Sequence, residues 1–282
     1  MGCMEQVGIT EGWRGFLSFS LVNAHGKTVV KDKRHLGPLM IQRPLYQEKD
    51  RPCVLIIHPP GGIAGGDQLE LAAHFKSQSK AMISTPSATK FYRSDDRLAT
   101  QNQIVKIDQG AQVEWLPQET LFFDQSKVSN QLSFNLQSRE CALIAWDIVG
   151  LGRPARGEGF ERGELTQSLS LWIEDKLVFV DRLKLQSQCE LLSSDAGLAK
   201  HNLFATALFY SDQVGSQKLL LEQLQAVEWS LPVGVTRLGN LVVLRVLASE
   251  LDEIKAVLFE SWQIARPLVM GLPVVKPRIW NT

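Results

Sequence analysis

The chain has 282 residues, 44% of them hydrophobic, so it carries enough apolar surface for a sizeable core. Its 30 basic and 30 acidic residues give a formal net charge of zero. This balance argues against a role on nucleic acid or on an anionic membrane, because either role usually needs a basic excess. The four cysteines lie far apart without a CxxC pair, and they indicate a reducing compartment rather than a zinc site or a disulfide framework.

Alternating apolar and polar residues predict β-strands over the first two-thirds of the chain. The predicted strands cover residues 13–21, 28–30, 53–57, 69–75, 103–108, 113–115, 132–136, 169–173 and 177–180. The continuous apolar run at 53–57 is typical of a strand that is buried on both faces. Turn residues at 109–110 and 174–176 predict two hairpins within this series, and residues 23–27 supply a turn before the strand at 28–30.

Helical patterns come late in the chain. Asp195 is positioned to cap a helix over residues 196–210, and residues 218–227 form a second, weaker helical pattern. Ser249 begins a Ser-x-x-Asp capping box, which predicts a third helix that ends at Pro267. Because strands and helices do not alternate regularly, the pattern does not favour a doubly wound parallel sheet.

The chain shows no internal repeat, no low-complexity tract and no long linker, so residues 1–282 are predicted to form a single domain. The predicted fold class is mostly β, with a small α-helical portion in the C-terminal third. The N-terminus lacks the basic and apolar regions of a signal peptide, and no apolar run approaches the ~20 residues of a membrane span. We therefore expect a cytoplasmic protein.

The stretch His58–Asp67, HPPGGIAGGD, holds two prolines and four glycines. A phosphate-binding loop needs a lysine after its last glycine, and a dinucleotide-binding loop opens a helix. Here Asp67 and a strand-like alternation follow instead. We interpret the stretch as a strained connection between strands, in which the prolines stiffen the chain and the glycines allow sharp turns. The loop-shaping residues are His58, Pro59, Pro60, Gly61, Gly62, Gly65 and Gly66.

No nucleophile, base and oxyanion donor form a recognisable catalytic set, and the five histidines show no metal-binding spacing. One enzymatic hypothesis stays open: His58 and Asp67, on either side of the glycine-rich stretch, as the working pair of a hydrolase. The motivation is that HPPGG distantly resembles the HGGG oxyanion loop of lipases.

Three carboxylates lie beside apolar runs, where an unpaired charge is costly: Asp67, Asp147 and Asp181. Two interpretations remain open from the residues alone. In the first, each carboxylate is neutralised by a nearby arginine, for which the candidates are Arg153, Arg156 and Arg182. In the second, the three carboxylates line a water-filled internal passage.

Six segments, in this order, resemble the family of the urease accessory protein UreD, called UreH in some bacteria. They are GPLMIQRPLY (37–46), HPPGGIAGGDQLEL (58–71), STPSATKFYRS (84–94), GAQVEWLPQETLFFD (110–124), WDIVGLGRPARGEGF (146–160) and PRIW (277–280). The resemblance extends over nearly the whole chain. It implies a fold of stacked, helically wound β-strands, which the alternation alone does not predict.

The resemblance also implies a function without catalysis. Proteins of this family bind apo-urease and the accessory protein UreF, and UreF docks the nickel-carrying GTPase UreG in a dimer of UreG–UreF–UreD complexes. Nickel is expected to pass through a water-filled passage in the chain, with no tightly bound metal and no resident cofactor. A pure adaptor, through which no metal passes, is the alternative.

Carried over to this sequence, the resemblance makes Asp67, Asp147 and Asp181 candidates for the passage lining, with Thr89 as a further one. Oxygen ligands and water hold first-row divalent ions more weakly than imidazole or thiolate does, which suits transit. The absence of histidine and cysteine clusters from the sequence is consistent with such a route.

Overall fold

The computed structural model describes residues 12–153, 156–186 and 189–281. The strands within these residues are β1 (Arg14–Ala24), β2 (Lys27–Leu36), β3 (Met40–Ile41), β4 (Leu45–Glu48), β5 (Arg51–Ile57), β6 (Gln68–Phe75), β7 (Lys80–Ser84), β8 (Thr89–Phe91), β9 (Ala99–Ile107), β10 (Gln112–Trp115), β11 (Thr120–Phe122), β12 (Lys127–Leu136), β13 (Ala142–Leu151), β14 (Glu164–Ile173), β15 (Lys176–Leu185), β16 (Leu203–Ser211), β17 (Val233–Leu238) and β18 (Leu241–Ala248). The helices are α1 (Ser216–Gln225) and α2 (Leu251–Met270), with short 3-10 turns at Glu190–Leu192 and Arg278–Asn281.

The strands form two sheets. Sheet I has the order β15-β14-β12-β9-β6-β1-β2, and sheet II has the order β17-β18-β16-β13-β10-β7-β5-β3, with β4, β8 and β11 attached to it. From β5 to β14 the chain passes back and forth between the sheets, and each new strand pairs in parallel with the one laid down a turn earlier. This is a helically wound stack of strands. The mostly-β prediction and the winding implied by the family resemblance are both confirmed.

The core lies between the two sheets, and period-two patterning explains it. On β6, for example, Leu69, Leu71, Ala73 and Phe75 are buried in the inter-sheet core while their neighbours face away. The second face of sheet II is covered by the helices. Alternate residues of β13 therefore enter two cores, with Leu143 packing between the sheets and Ile144 packing on the helix side. The apolar run in β5 is likewise buried on both faces, as predicted.

One of the two predicted hairpins is confirmed, and the predicted turn at 23–27 also connects an antiparallel pair. β1 and β2 are antiparallel across a turn in which His25 and Gly26 have positive φ, and β14 and β15 are antiparallel across Glu174 and Asp175, also at positive φ. The hairpin predicted around 109–110 is wrong, because β9 belongs to sheet I and β10 to sheet II. In a wound stack a turn between two alternating segments carries the chain across to the other sheet instead of back along the same one.

The helix predicted over residues 196–210 is also wrong. Residues Leu203–Ser211 form β16, which lies between β13 and β18 in sheet II. Leu208 faces the inter-sheet core and Phe209 faces the helices, so both phases of this strand are apolar. A strand buried on both faces cannot be distinguished from a buried helix by periodicity alone.

The two other helices form near their predicted positions. α1 lies within two residues of the prediction at each end. In α2, however, the capping box does not form: the N-cap is Glu250, without a side-chain hydrogen bond. Pro267 lies inside the last turn and does not end the helix, which continues to Met270 and stops where Gly271 takes a left-handed conformation with φ +66°.

Candidate functional site

The glycine-rich stretch His58–Asp67 carries the chain from the end of β5 in sheet II to the start of β6 in sheet I. Its middle is fixed by Ile63, which is fully buried. The Ile63 N–H donates to the Lys90 carbonyl at 2.7 Å, and the Ile63 carbonyl accepts the Tyr92 N–H at 2.8 Å. The stretch is thus a connection between strands that is pinned to β8.

Two glycines of this connection meet specific conformational or steric demands. Gly66 has φ +92°, which favours glycine. A Cβ on Gly62 would lie 2.7 Å from Cζ of Tyr92 and 2.9 Å from the Lys90 carbonyl oxygen. The backbone at Gly62 therefore packs directly against the tyrosine ring and β8.

Asp67 is the last residue of this connection, and its carboxylate accepts hydrogen bonds from two backbone N–H groups. One oxygen accepts the Trp13 N–H at 2.8 Å, and the other accepts the Ala64 N–H at 2.9 Å. The residue is buried, with 8% exposure. Within the described residues it forms no hydrogen bond with His58, so the geometry gives the hydrolase hypothesis no working pair.

A cavity of about 200 Å³, here called the inner chamber, lies between the sheets behind this connection. Polar side chains on its wall include those of His58, Thr89, Gln101, Gln103 and Asp147. Burial lowers the pKa of His58 against a smaller opposing effect of Asp67, which favours the neutral imidazole. Asp67 does not line this chamber.

A second cavity of about 300 Å³, the outer chamber, lies on the other side of Asp147. Asp147 lines both chambers, and Gln167 and Asp181 also line the outer one. Asp147, on the inward face of β13, is therefore a lining residue common to both chambers.

Asp147 accepts a hydrogen bond from the Gln167 side-chain amide. Burial raises its pKa to about 6, the nearby Asp181 adds to that rise, and the Gln167 hydrogen bond opposes it. None of Arg153, Arg156 and Arg182 pairs with it, since no arginine or lysine within the described ranges forms a salt bridge with Asp147. The arginine interpretation is therefore wrong for this residue.

Asp181 does pair with an arginine, though with none of the three candidates. Arg245 Nη2 lies 2.9 Å from its Oδ2, and the Thr206 hydroxyl donates to the same oxygen at 3.2 Å. Asp147, Thr206 and Arg245 are partners in register on β13, β16 and β18. Of the two carboxylates in the outer chamber, one is thus neutralised and the other is not.

A third cavity, of about 490 Å³, lies between α2 and the edge of the stack and is here called the helix-side cavity. It shares the wall formed by Pro86, Ser87, Ala88, Pro117 and Gln118 with the inner chamber. Lys255 of α2 pairs with Glu119 at 2.9 Å on its wall, and Trp280 packs on Trp146 beside it, with ring centroids 5.4 Å apart. The inner chamber thus shares wall residues with the helix-side cavity on one side and with the outer chamber, through Asp147, on the other.

Of the predicted lining residues, the structure brings Thr89, Asp147 and Asp181 to these cavities and leaves Asp67 outside both chambers. Sequence reasoning missed Gln101, Asn130 and Gln167, which occupy inward positions of β9, β12 and β14. Asn130 and Gln167 had a signal in the sequence, because each is a polar residue in the phase that otherwise carries the apolar core residues of its strand.

Across the described ranges, no group of three or more His, Cys, Asp or Glu side chains is placed to hold a metal ion. None of the helices that the structure describes is long and apolar enough to cross a membrane.

Comparisons with known proteins point to one family. The family of the UreD urease accessory protein matches residues 14–281. The chain is 37% identical over 281 residues to the urease accessory protein UreD of Pseudomonas putida (strain W619), covering 99% of this chain and 98% of that protein. It is 34% identical over 286 residues to that of Alcanivorax borkumensis, covering 99% and 95%. It is 38% identical over 276 residues to that of Nitrosococcus oceani, covering 96% and 90%.

Proposed function

The chain belongs to the UreD urease accessory protein family and has a role in urease maturation, and from that premise we propose that it delivers nickel to apo-urease through an internal, water-filled passage. The observation that supports this best is the presence of three cavities that share wall residues, two of which have Asp147 in common. A solid inter-sheet core would leave no such route.

In this proposal the chain is a cytoplasmic scaffold and performs no catalytic step. It binds apo-urease and UreF, UreF docks the GTPase UreG, and two UreG–UreF–UreD complexes form a dimer. Nickel is cargo in transit and not a resident cofactor.

The donors along the route suit transit. Thr89, Asp147 and Asp181 offer oxygen ligands, and His58 adds one imidazole at the loop wall. First-row divalent ions leave such sparse oxygen sites readily, whereas clustered imidazoles and thiolates retain them.

The pure adaptor remains the second candidate, and closing the inner chamber separates it from the passage. Thr89→Trp places an indole in the chamber wall, and Gln131→Trp places the same group on the exposed outer face of sheet I as the matched control. Each variant is co-purified with UreF and apo-urease, and the nickel content and activity of the matured urease are measured.

We expect Thr89→Trp to bind both partners and to yield nickel-poor urease, while Gln131→Trp matures urease normally. Full maturation with Thr89→Trp would favour the adaptor. Failure of the unmodified chain to bind either UreF or apo-urease would remove the scaffold part of the proposal.

A further inference from the structure

A surface cavity of about 360 Å³, here called the arginine pocket, lies apart from the three cavities described above. Its wall comes from three connections, which follow β8, β11 and β13. The lining residues are Tyr92, Arg93, Phe123, Asp124, Gln125, Arg153, Glu158 and Arg162. None of them lines the helix-side cavity, the inner chamber or the outer chamber, so the proposed passage does not account for this pocket.

Both carboxylates of the arginine pocket are engaged within the protein. Asp124 Oδ1 accepts the backbone N–H groups of Glu161 and Arg162 at 2.9 and 2.8 Å, and Asp124 Oδ2 accepts Nε and Nη2 of Arg162 at 3.1 and 2.9 Å. Glu158 Oε2 accepts Nε and Nη2 of Arg153, and Glu158 Oε1 accepts the Asp124 N–H at 3.2 Å. The acidic groups therefore hold the pocket's own arginines and loop backbone in place.

The guanidinium groups, in contrast, have donors to spare. Arg153 and Arg162 each bind their carboxylate partner through Nε and Nη2, so Nη1 of each forms no hydrogen bond within the part of the chain that the structure describes. Arg93 is exposed and forms no ion pair with any described residue. The Tyr92 hydroxyl likewise has no hydrogen-bond partner among these residues. The pocket thus presents unused donors and no unused acid to match them.

The pocket carries a surplus of one positive charge. The hydrogen bond from Arg153 lowers the pKa of Glu158. Burial acts to raise the pKa of Asp124, but hydrogen bonds from Arg162 and Glu161 outweigh it and leave that pKa below its usual value. Both carboxylates are therefore ionised at neutral pH. Three guanidinium groups face these two carboxylates, which leaves a single positive charge for a ligand to neutralise.

An aromatic wall lies beside the free donors. The Arg153 guanidinium lies over the Phe123 ring at 4.7 Å from its centroid, and the Tyr92 and Phe123 rings are 5.4 Å apart. Tyr92 remains 38% exposed, although the backbone at Gly62 packs against its ring. Exposed ring surface next to guanidinium donors favours a ligand that has an apolar group close to its negative charge.

These features favour a carboxylate over a phosphate. The planar fork of arginine matches a carboxylate with two parallel hydrogen bonds. The single surplus charge of the pocket equals that of one carboxylate, whereas a phosphate monoester carries about −1.5 to −2 at pH 7. Successive phosphates of a nucleic acid would also meet Asp124 and Glu158 on the same wall. An acidic side chain next to an apolar one, on a polypeptide, fits the pocket on both counts.

We propose that the arginine pocket binds an acidic segment of a partner protein. A carboxylate of that segment binds Arg93, Arg153 and Arg162, and a neighbouring apolar side chain packs on Tyr92 and Phe123. The pocket stands on its own geometry and does not involve nickel, whereas UreF or apo-urease as the partner rests on the proposed function.

The test uses the purified full-length chain and a fluorescein-labelled peptide in which glutamates flank one leucine, with binding followed by fluorescence anisotropy. A peptide with glutamine in place of every glutamate is the probe control. The variants are Arg93→Gln and Arg93→Lys, because Arg93 has no ion-pair partner among the described residues whose loss would disturb the fold. The matched control is Arg34→Gln, which removes the same charge from an exposed position on β2.

We expect the unmodified chain to bind the glutamate peptide and not the glutamine peptide. Arg93→Gln should weaken the affinity about tenfold, because a charged hydrogen bond is lost. Arg93→Lys should weaken it by a factor of about three, since lysine keeps the charge but loses the planar fork. Arg34→Gln should stay within about twofold of the unmodified chain.

Absence of glutamate-peptide binding by the unmodified chain, or equal losses in Arg93→Gln and Arg34→Gln, would overturn the site. Full affinity in Arg93→Lys would overturn recognition by the guanidinium fork, because any positive charge would then suffice. Inorganic phosphate and a single-stranded oligonucleotide serve as competitors at matched ionic strength. If either displaces the peptide more effectively than free glutamate does, a carboxylate is not the ligand.

Capture of purified UreF and apo-urease by the same variants separates failure of the pocket from failure of the proposed function. If the unmodified chain binds the peptide but neither protein, the pocket stands and the scaffold role falls. If it captures both proteins and Arg93→Gln captures them equally well, the pocket contacts neither protein and the partner assignment falls. We expect Arg93→Gln to lose about tenfold in affinity for one of the two proteins.

Discussion

The carboxylate of Asp67 accepts the backbone N–H of Trp13 at 2.8 Å, across 54 residues of sequence. The same carboxylate accepts the Ala64 N–H, so it ties the segment before β1 to the glycine-rich connection that leads into β6. β1 and β6 are parallel neighbours in sheet I, and Asp67 stands at the start of that pairing. The carboxylate acts here as a backbone acceptor.

Asp67→Ala should therefore lower the stability of the fold. Two backbone donors lose their acceptor, and each lost hydrogen bond should cost about 0.5–1.5 kcal/mol. Asp67→Asn keeps one acceptor oxygen and should fall between the two, while Glu70→Ala, exposed on β6, should stay near the unmodified value. Urea unfolding measures all three. An unchanged free energy of unfolding in Asp67→Ala would contradict the structural role.

Gly62 and Gly61 give a matched pair for the packing of the same connection. A Cβ on Gly62 meets the Tyr92 ring and the Lys90 carbonyl, whereas a Cβ on Gly61 lies 3.3 Å from the Tyr92 hydroxyl alone. Gly62→Ala should cost about 1–3 kcal/mol of unfolding free energy through overpacking. Gly61→Ala should change it by no more than about 0.5 kcal/mol. Equal melting temperatures for the two variants would show that the contact with Tyr92 relaxes freely.

Arg266 of α2 and Glu114 of β10 form an ion pair in which neither side chain is exposed, with Nε 3.0 Å from Oε1. Arg51 adds a second cation to Glu114 at 3.2 Å, and Arg266 also reaches Glu48 at 2.5 Å. Removing one partner leaves buried charge uncompensated. Arg266→Met should accordingly cost about 3–5 kcal/mol of unfolding free energy.

Arg237→Met serves as the control for that change, because Arg237 is exposed on β17. The control should change the free energy of unfolding by about 0.5 kcal/mol or less. Denaturant midpoints for the two variants decide the matter. Equal midpoints would mean that water reaches the Glu114 cluster and replaces the guanidinium.

Strands with one apolar and one solvent-facing side can be predicted from the sequence, but their arrangement cannot. Alternation on β6 identifies its inward face because that face is apolar and its outer face is wet. β16 defeats the same reasoning, since Leu208 and Phe209 are buried on opposite faces. The winding depends on which sheet each strand joins, and local patterning is the same for either choice.

The types of residue in the candidate site are easier to predict from the sequence than the contacts that these residues make. Asp147 can be predicted as a site residue because it is a charge beside an apolar run, and the structure places it on the wall of both chambers. Asp67 has the same sequence pattern, but its carboxylate accepts backbone hydrogen bonds instead. The sequence does not predict this role because the donor, the Trp13 N–H, is distant along the chain. In the sequence, Asn130 and Gln167 can be identified only as polar residues at positions that are otherwise apolar. That they lie side by side depends on the register between β12 and β14.

The ionisation of Asp147 should make stability depend on pH in a specific window. Its pKa is raised from 3.8 to about 6 in the folded chain, chiefly by burial, so the unfolded chain loses this proton first as the pH rises. Stability from this group is therefore greatest below pH 4, falls between pH 4 and 6, and stays reduced above pH 6. The full effect is on the order of 3 kcal/mol.

Asp147→Asn removes that dependence. The variant should be more stable than the unmodified chain at pH 7.5 by on the order of 3 kcal/mol, and the difference should vanish near pH 4. Asp175→Asn, in the exposed β14–β15 turn, provides the control and should show no such difference. Urea unfolding at both pH values, in buffer free of divalent ions, tests this. A stability difference that stays constant with pH would mean that Asp147 titrates as an ordinary solvated carboxylate, and that the junction between the chambers holds enough water to hydrate it fully.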